Sequence, residues 1–481
     1  MVPARPVRRF STRSPMRITV IGTGYVGLVT AACLAEIGHH VIGVDVDQVK
    51  IESLARGEVS ILEPELPELV AHHLRHGRLE FTTDMACACA RVDAVLIAVG
   101  TPAAGPGFAE LGYVLSAARA AGQHLDGPAT VVVKSTVPPG TAVRVRDTVC
   151  ATMALRGVSY RVDVASNPEF LREGCAVQDF LAPDRIVIGA DEPSAMACLR
   201  DIYAPLIARG HRLLEMDRVS AEMAKYAANA MLAVRISAVN ELASIAEACG
   251  ADFEEVRSVL ASDHRIGEYF LAAGAGYGGS CFPKDMRALA RLAQEVGVGT
   301  PLIDATETVN LRTRERICEK IERWAEFRGG LSRCTVALWG LSFKPGTDDV
   351  REAPALTVLR MLLDAGSRVR AHDPAALSTA RRVIGDPPRL TWSASPQEAL
   401  RGADTLVLLT EWPEYREFSA EYVARCLAGR VVFDGRNALD VRAYRECGIT
   451  VIGVGRPLPR ALLVRHRKAR DAAPRQPRAV G

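Results

Sequence analysis

The sequence lacks the marks of a membrane or exported protein. It contains no apolar run as long as a membrane span, and its N-terminus has no apolar core of a signal peptide. Its 12 cysteines follow no pairing pattern, and Cys87 and Cys89 have no second pair with which to form a zinc site. We therefore expect reduced thiols, a cytoplasmic location, no metal site and no membrane partner.

The chain also has little net charge and no unusual composition. A net charge of +3, with 48% hydrophobic and 24% charged residues, is typical of a soluble globular protein and indicates no particular partner. Much of the positive charge lies in the arginines of residues 5–13 and 456–478. We expect disordered ends at residues 1–15 and 461–481 and no nucleic-acid partner, with attachment to nucleic acid or a membrane surface as the alternative.

A dinucleotide-binding pattern lies near the start of the chain. A short β-branched run leads into residues 22–27 (GTGYVG) and then into a helix rich in alanine and leucine. A second strand, residues 40–44, ends at Asp45 about twenty residues later, which completes the pattern. We expect the glycines to hold the pyrophosphate and Asp45 to accept hydrogen bonds from the ribose, which favours NAD over NADP. These glycines are Gly22, Gly24 and Gly27.

Polar residues also follow later strands of the predicted sheet. Thr101, Thr136 and the carboxylates Glu169 and Glu173 each come after a short apolar run. Open α/β sheets bind ligands beyond the carboxyl ends of their strands. Thr101 and Thr136 are therefore candidates for the cofactor site.

From residue 220 the pattern becomes helical, and no proline or glycine interrupts it before Gly250. A helix of this length can bridge two domains. Lys225 and Asn229 lie four residues apart, so they share one helix face, which also carries alanines. A solvated lysine is the ordinary interpretation, but a polar pair on a small apolar face predicts a buried functional pair.

Residues 276–285 (GYGGSCFPKD) set Cys281 beside Lys284 and Asp285 in a glycine-rich turn. Glycines let the backbone approach a ligand closely, so a thiol in this turn can be presented to a substrate. A nearby ammonium group favours the thiolate. Cys281 is therefore a candidate nucleophile, and the alternative is a small buried apolar residue, as most free cysteines are.

A second α/β pattern begins near residue 334 and has no dinucleotide glycines of its own. Lys344 and Arg436 follow strands in it and are suited to bind phosphate. The length of 481 residues also predicts two or three domains. We predict an α/β protein with two Rossmann-like, doubly wound domains joined by a long central helix in an all-α domain. The predicted domains are residues 16–212, which bind NAD, residues 213–327, which carry the cysteine loop, and residues 328–460, which bind the substrate nucleotide.

With these motifs the chain resembles the UDP-glucose/GDP-mannose dehydrogenase family of nucleotide-sugar 6-dehydrogenases. The resemblance extends from Met16 to about Gly455. Besides the cysteine loop, the motifs that carry it are residues 44–47, 99–102, 167–174, 263–267 and 343–352.

The resemblance implies a four-electron oxidation that uses two NAD and turns the sugar 6-hydroxyl into a carboxylate. Cys281 would attack the aldehyde formed first, and the resulting thiohemiacetal would be oxidised to a thioester that water cleaves. Lys225 would stabilise oxyanions, with Asn229 beside it. The protons would be handled by Asp285 and Glu169, and the hydrolytic water would be held in part by Thr136.

The same matching implies the binding residues. Arg265 would reach the substrate of a neighbouring subunit, and the long helix would build a homodimer at least. The other implied substrate contacts are Glu169, Phe170, Leu171, Arg172, Glu173, Lys225, Asn229, Phe270, Leu271, Ala272, Ala273, Gly274, Gly278, Lys344 and Arg436. The implied NAD contacts are Gly22, Gly24, Val26, Gly27, Asp45, Lys50, Thr101, Thr136, Glu173, Lys284 and Arg351.

Several alternatives stay open. Arg265, Tyr277 and Phe282 look like the branch of the family that acts on UDP-glucose, and GDP-mannose and UDP-N-acetylhexosamines are the alternative substrates. A two-electron dehydrogenase with a structural cysteine is another alternative. Such an enzyme would not need the four polar residues Lys225, Asn229, Asp285 and Glu169 together. An NAD-sensing protein without catalysis would not need the thiol itself.

Overall fold

The computed structural model describes residues 15–105 and 107–457. The predicted disordered ends lie outside the described residues, apart from Pro15. The chain divides into two compact units. The first unit contains the residues up to 229 together with 287–299, and the second unit contains residues 230–286 together with those from 300 onward.

The first unit is built around an eight-stranded, mainly parallel sheet. Its strands, together with the separate β5–β6 pair, are β1 (Arg17–Ile21), β2 (His40–Val44), β3 (Leu79–Thr82), β4 (Ala94–Ile97), β5 (Ala103–Gly105), β6 (Phe108–Ala109), β7 (Ala129–Val133), β8 (Val162–Ser166), β9 (Ile186–Gly189) and β10 (Leu213–Met216). Its helices are α1 (Tyr25–Glu36), α2 (Gln48–Ala55), α3 (Leu66–Arg75), α4 (Met85–Ala88), α5 (Gly112–His124), α6 (Thr141–Leu155), α7 (Ala176–Leu181) and α8 (Pro193–Ala208). The strand order is β10-β9-β8-β7-β4-β1-β2-β3, and β9 pairs with β8 in the antiparallel direction.

Helices cover both faces of this sheet, which explains why its central strands are continuous apolar runs. Successive residues of a strand point to opposite faces. Leu96 of β4 therefore packs into one core with α1, whereas Val95 and Ile97 pack into another core with α5 and α6. The strand order reverses direction between β1 and β4, and the crevice at such a point is where doubly wound sheets bind ligands.

Four helices follow, and the first of them is 32 residues long. They are α9 (Arg218–Cys249), α10 (Phe253–Ser262), α11 (Phe282–Glu295) and α12 (Pro301–Glu326), and a short 3₁₀ helix (Leu331–Arg333) comes after them. The predicted long central helix is confirmed as α9. The division between the two units falls within α9 and within α11. In the ranges that the structure describes, no helix combines the length and the apolar character needed to cross a membrane.

The second unit contains a six-stranded parallel sheet. Its strands are β11 (Thr335–Trp339), β12 (Arg368–His372), β13 (Leu390–Trp392), β14 (Thr405–Leu408), β15 (Val431–Asp434) and β16 (Thr450–Ile452). Its remaining helices are α13 (Pro354–Asp364), α14 (Leu377–Ile384), α15 (Pro396–Leu400), α16 (Pro413–Arg416), α17 (Ala420–Cys426) and α18 (Val441–Glu446). The order β13-β12-β11-β14-β15-β16 repeats the Rossmann order, so the predicted pair of Rossmann-like folds is confirmed.

Candidate active site

The loop after β1 leaves open space at one of its predicted glycines. A Cβ atom added to Gly24 would meet no atom within 4 Å, whereas one added to Gly27 would lie 1.8 Å from the carbonyl oxygen of Gly22. Gly24 directly precedes α1, and no acidic residue lies in the first turn of that helix. Gly27 is therefore required by packing, and the space beside Gly24 and the helix N-terminus suits a dinucleotide phosphate.

Two alanine substitutions separate these roles. Gly27→Ala is expected to lower the free energy of unfolding by about 1–3 kcal/mol because its methyl group overlaps a backbone carbonyl, although alanine is the better helix former. Gly24→Ala should fold normally, because φ at this position is −71°, and should weaken NAD binding about tenfold by filling the space for phosphate. Thermal unfolding and calorimetric NAD titration measure the two effects. Wild-type NAD affinity of Gly24→Ala would mean that phosphate binds elsewhere.

Asp45, at the end of β2, is held in place by its neighbours. Its Oδ2 atom accepts hydrogen bonds from the backbone N–H and the hydroxyl of Thr23, both at 2.9 Å, and from the Lys50 ammonium at 2.9 Å. Burial alone would raise the pKa of Asp45, but the hydrogen bonds from Lys50 and Thr23 outweigh it and keep the pKa below its usual value. An ionised carboxylate at this point accepts hydrogen bonds from ribose hydroxyls and repels a 2′-phosphate.

Asp373, the equivalent residue of the second unit, has its acceptors occupied. It follows β12 and accepts hydrogen bonds from the backbone N–H groups of Leu341 and Ser342 at 2.7 and 3.0 Å, and from the indole of Trp412 at 3.1 Å. The residue is 1% exposed. A ribose therefore cannot reach this carboxylate, which agrees with the absence of dinucleotide glycines from this half of the sequence.

The predicted residues Glu169 and Lys225 form a buried ion pair in the first unit. Glu169 Oε1 lies 3.2 Å from Lys225 Nζ, and the two side chains are 7% and 6% exposed. Glu169 Oε2 accepts a hydrogen bond from the Leu171 N–H at 2.7 Å. Burial alone would raise the pKa of Glu169, but the Lys225 charge and this hydrogen bond outweigh it, so the pKa lies below its usual value. The lysine is thus buried, as its apolar helix face predicted, and its ion-pair partner is Glu169.

A second buried ammonium, Lys134, was not predicted from the sequence. It follows β7 and donates a hydrogen bond to Asn167 Oδ1 at 3.2 Å. Burial lowers the pKa of Lys134 to about 8, although the charge of Glu169 acts in the opposite direction. The usable sequence signal was a lysine directly after a strand that is apolar except for Thr130, in the run that also contains Thr136.

The predicted cofactor residues Thr101 and Thr136 are brought together. The Thr101 hydroxyl donates a hydrogen bond to the Thr136 carbonyl oxygen at 2.9 Å.

Glu222 of α9 accepts hydrogen bonds from the N–H groups of Gly140 and Ala142, at 2.6 and 2.8 Å, where α6 begins. Glu222 lies one helical turn before Lys225, so these contacts fix the start of α9 beside the loop that carries Thr136.

Glu63 links the glycine-rich loop to the segment that carries Glu169. Its buried carboxylate accepts hydrogen bonds from the Tyr25 hydroxyl and, at 2.7 Å, from the Gly174 N–H. The Gly174 N–H also donates to the Tyr25 hydroxyl at 3.0 Å. Tyr25 lies within the GTGYVG sequence, so the loop for phosphate and the segment of residues 167–174 are held by one hydrogen-bond network. Sequence reasoning missed Glu63, because no local pattern marks it.

In the second unit, Cys281 directly precedes α11 and is exposed. The Asp285 N–H donates a hydrogen bond to the Cys281 carbonyl oxygen at 2.8 Å, as in the first turn of a helix. The Lys284 ammonium lies 2.6 Å from Asp285 Oδ1. The Cys281 thiol is therefore exposed directly before a helix N-terminus, and its role as the nucleophile stays a prediction.

The cysteine loop packs closely against the segment that carries Arg351. A Cβ atom added to Gly278 would lie 2.3 Å from the Glu352 carbonyl oxygen, so only glycine fits. The Gly279 N–H donates a hydrogen bond to the Arg351 carbonyl oxygen at 2.8 Å. The segment with a predicted NAD contact therefore lies directly against the loop with the predicted nucleophile.

Two predicted substrate contacts, Arg436 and Gly274, also meet within the second unit. The Arg436 guanidinium donates hydrogen bonds to the carbonyl oxygens of Leu409 and Phe343, both at 2.8 Å, and lies 3.3 Å from the Glu411 carboxylate. A Cβ atom added to Gly274 would lie 3.5 Å from this guanidinium. Arg265, in contrast, is 79% exposed at its side chain and pairs with its neighbour Asp263.

The predicted site residues are thus divided between the two units. The first unit contains the predicted glycines, Asp45 and the Glu169–Lys225 pair, and the second unit contains the cysteine loop, Lys344 and Arg436. The structure alone identified Glu63 and Lys134 as residues of the site. It also supplied the hydrogen-bond partners of the predicted residues.

Three family models match successive parts of the chain. They are described as the NAD binding domain, the central domain and the UDP binding domain of the UDP-glucose/GDP-mannose dehydrogenase family. The matched ranges are residues 16–207, 219–312 and 337–441.

Individual relatives agree with these matches. The chain is 46% identical over 445 residues to a UDP-glucose 6-dehydrogenase of Pseudomonas aeruginosa, covering 92% of this chain and 98% of the relative. It is 42% identical over 445 residues to a UDP-glucose 6-dehydrogenase of Rhizobium meliloti, covering 92% and 100%. A solved UDP-glucose dehydrogenase from Pyrobaculum islandicum matches with a TM-score of 0.83 and 39% identity, covering 94% of this chain and all of that chain.

Proposed function

Since the chain belongs to the UDP-glucose/GDP-mannose dehydrogenase family and is an NAD-dependent oxidoreductase, we propose that it is a UDP-glucose 6-dehydrogenase. It would oxidise the C6 alcohol of UDP-glucose to a carboxylate with two NAD and one water. The observation that carries this proposal is the exposed thiol of Cys281 at the start of α11, in a chain similar over 92% of its length to enzymes of that name.

The chemistry falls into three steps. NAD, when bound along the glycine-rich loop and Asp45, accepts the hydride from C6 in each oxidation. The Cys281 sulfur would add to the aldehyde left by the first oxidation, forming a C–S bond while the thiol proton is transferred to the aldehyde oxygen. The second oxidation would convert this thiohemiacetal to a thioester, and water would cleave the C–S bond to give the carboxylic acid and restore the thiol.

The polar residues have separate tasks in this scheme. The buried Lys225 ammonium would stabilise negative charge that develops on the substrate oxygen. Glu169, which its low pKa keeps ionised at neutral pH, would accept a proton, and Thr136 would help to hold the hydrolytic water. Asp285 would handle the other proton, and Asn229 would support Lys225. Lys344 and Arg436 would bind the phosphates.

We further propose a cytoplasmic homodimer or larger homo-oligomer with the three domains given above. Large apolar side chains are exposed on the central helices, including Met231, Leu242 and Ile245 on α9 and Val259 on α10. By helical spacing Met231, Leu242 and Ile245 lie on one face of α9, and an exposed apolar helix face is typical of an interface between subunits. The three matched ranges lie within the three predicted domains and support those boundaries.

The ratio of NADH formed to sugar nucleotide consumed tests the proposal. UDP-glucose, GDP-mannose and UDP-N-acetylmannosamine are offered separately, and NADH absorbance is compared with the loss of substrate on a chromatogram. We expect turnover with UDP-glucose and a ratio near two, because the four-electron reaction reduces two NAD. A ratio near one would show that the aldehyde is released. Turnover with one of the other substrates instead would contradict the assignment to UDP-glucose.

A further inference from the structure

Helix α12 holds the backbone of the cysteine loop through two buried side chains. The first is Asn310, which pairs with both backbone groups of Tyr277. Its Oδ1 atom accepts a hydrogen bond from the Tyr277 N–H at 2.9 Å, and its Nδ2 atom donates to the Tyr277 carbonyl oxygen at 3.1 Å. A side-chain amide that bonds both the N–H and the C=O of one residue fixes the two peptide groups that flank it.

Arg314 lies one turn later on the same helix and connects two segments. Its guanidinium donates hydrogen bonds to the carbonyl oxygens of Tyr277 and Glu352, at 2.6 and 3.0 Å. Both Asn310 and Arg314 are nearly inaccessible to solvent. One buried cation thus fixes the cysteine loop relative to the segment that carries Arg351.

The sequence between Tyr277 and Cys281 gives this attachment its importance. Residues 278–280 are Gly-Gly-Ser, so the connection has little rigidity of its own. On the other side of Tyr277, Gly276 lets the Asn310 side chain approach the loop closely, because a Cβ atom at position 276 would lie 2.5 Å from Asn310 Oδ1. The position of the thiol is therefore fixed at three points: by α11, which begins directly after Cys281, by the Gly279 N–H bond to the Arg351 carbonyl oxygen, and by α12 through Tyr277. Arg314 acts on two of these points, because it holds both Tyr277 and the segment that carries Arg351.

We propose that Asn310 and Arg314 are positioning residues that set where the Cys281 thiol stands when it captures the aldehyde. This inference rests on the proposed function. Neither residue takes part in the chemistry, and each acts through the backbone of Tyr277. A nucleophile displaced by about 1 Å reacts on the order of a hundredfold more slowly. An aldehyde that is captured too slowly leaves the enzyme after one oxidation, so the second NADH is not formed.

The test compares Asn310→Ala and Arg314→Met with Lys320→Met as the control. Lys320 lies on the same helix and makes similar buried contacts, to Glu247 Oε2 at 2.5 Å and to the Gly453 carbonyl oxygen at 2.8 Å, but it is not bonded to the cysteine loop. The measurements are kcat, KM for UDP-glucose, the ratio of NADH to sugar consumed, and the rate at which iodoacetamide alkylates Cys281, followed by peptide mass spectrometry. Thermal unfolding shows that each variant is folded, and Arg314→Lys, which keeps the positive charge on a single donor nitrogen, serves if Arg314→Met does not fold.

We expect Asn310→Ala and Arg314→Met to lower kcat about 10- to 100-fold with KM changed less than about threefold, since the thiol and not the substrate site is displaced. The ratio of NADH formed to sugar consumed should fall from two toward one. Alkylation of Cys281 near neutral pH should slow about fivefold as the thiol moves away from the helix N-terminus. Arg314→Lys should lie between Arg314→Met and the wild type. Lys320→Met should keep the ratio of two and the wild-type alkylation rate.

Two results would overturn the inference. One is a wild-type ratio and alkylation rate in both Asn310→Ala and Arg314→Met. The other is an equal loss in Lys320→Met, which would show a general effect of damage to α12. Because alkylation needs no sugar nucleotide, it still tests the positioning role if the wild-type enzyme does not act on UDP-glucose.

Discussion

Replacing Cys281 by serine is expected to lower steady-state NADH formation on the order of a thousandfold or more, as is typical when an active-site nucleophile is lost. A serine hydroxyl is not ionised near neutral pH and is a much weaker nucleophile than a thiol, and the thiol of Cys281 is exposed directly before α11. The glycine-rich loop and Asp45 belong to the other unit and are unchanged. Affinity for NAD should therefore stay within about threefold of wild type.

NADH absorbance and calorimetric NAD titration measure the two quantities, and Cys87→Ser is the matched control. Cys87 is also an exposed free cysteine, but it lies on α4 of the first unit. Cys87→Ser should keep wild-type turnover and the ratio of two NADH formed for each sugar nucleotide consumed. Turnover retained by Cys281→Ser would remove covalent catalysis from the proposed mechanism, and a loss shared by both variants would point to general damage from thiol removal.

The parts of the fold that could be predicted are those encoded within one short stretch. The GTGYVG sequence, the acid after β2 and the uninterrupted pattern of α9 each depend on neighbouring residues, so the strand–loop–helix unit, Asp45 and the long helix could all be predicted. The apolar runs of β4 and β7 likewise followed from burial on both faces of a parallel sheet. Cys281 could be selected because its glycines, lysine and carboxylate lie within ten residues of the chain.

The contacts that could not be predicted join residues far apart in the sequence. Glu63 bonds Gly174 across 111 positions, and Asn310 bonds Tyr277 across 33. Neither Glu63 nor Asn310 stands in a recognisable pattern, and each acquires its role only when the fold brings two distant segments of the chain together. The surroundings of Lys225 could be predicted only in part. The apolar face of its helix indicated burial, but its partner Glu169 lies 56 positions earlier in the sequence. Local patterns thus predict the proposed reactive residues more readily than the residues that hold them.

The second large effect is expected for Lys225→Met. Loss of a buried oxyanion-stabilising group should lower kcat about 10²- to 10³-fold. The substitution also leaves the buried Glu169 carboxylate without the cation 3.2 Å away, and breaking a buried pair in this way costs about 3–5 kcal/mol. Lys225→Arg, which keeps the positive charge, should retain more of the stability. Thermal unfolding and NADH kinetics over a range of pH measure both effects.

The direction of the pH effect follows from the pair. In the wild type the pKa of Glu169 is depressed, because the Lys225 charge and the Leu171 N–H outweigh the effect of burial. Its contribution to stability is therefore present above the unfolded pKa and is lost as the pH falls through the folded pKa. Removing Lys225 raises the folded pKa, only partly offset by the nearby Lys134, so the acid limb of the rate profile should move to higher pH.

The double variant Lys225→Met/Glu169→Gln separates stability from catalysis. It replaces both charges, so no unpaired carboxylate is left buried, and most of the lost stability should return. Turnover should stay low, because a methionine cannot stabilise an oxyanion and a glutamine cannot accept the proton. If turnover returned together with stability, the ion pair would be a structural feature of the first unit, and the oxyanion would have to be stabilised by another group.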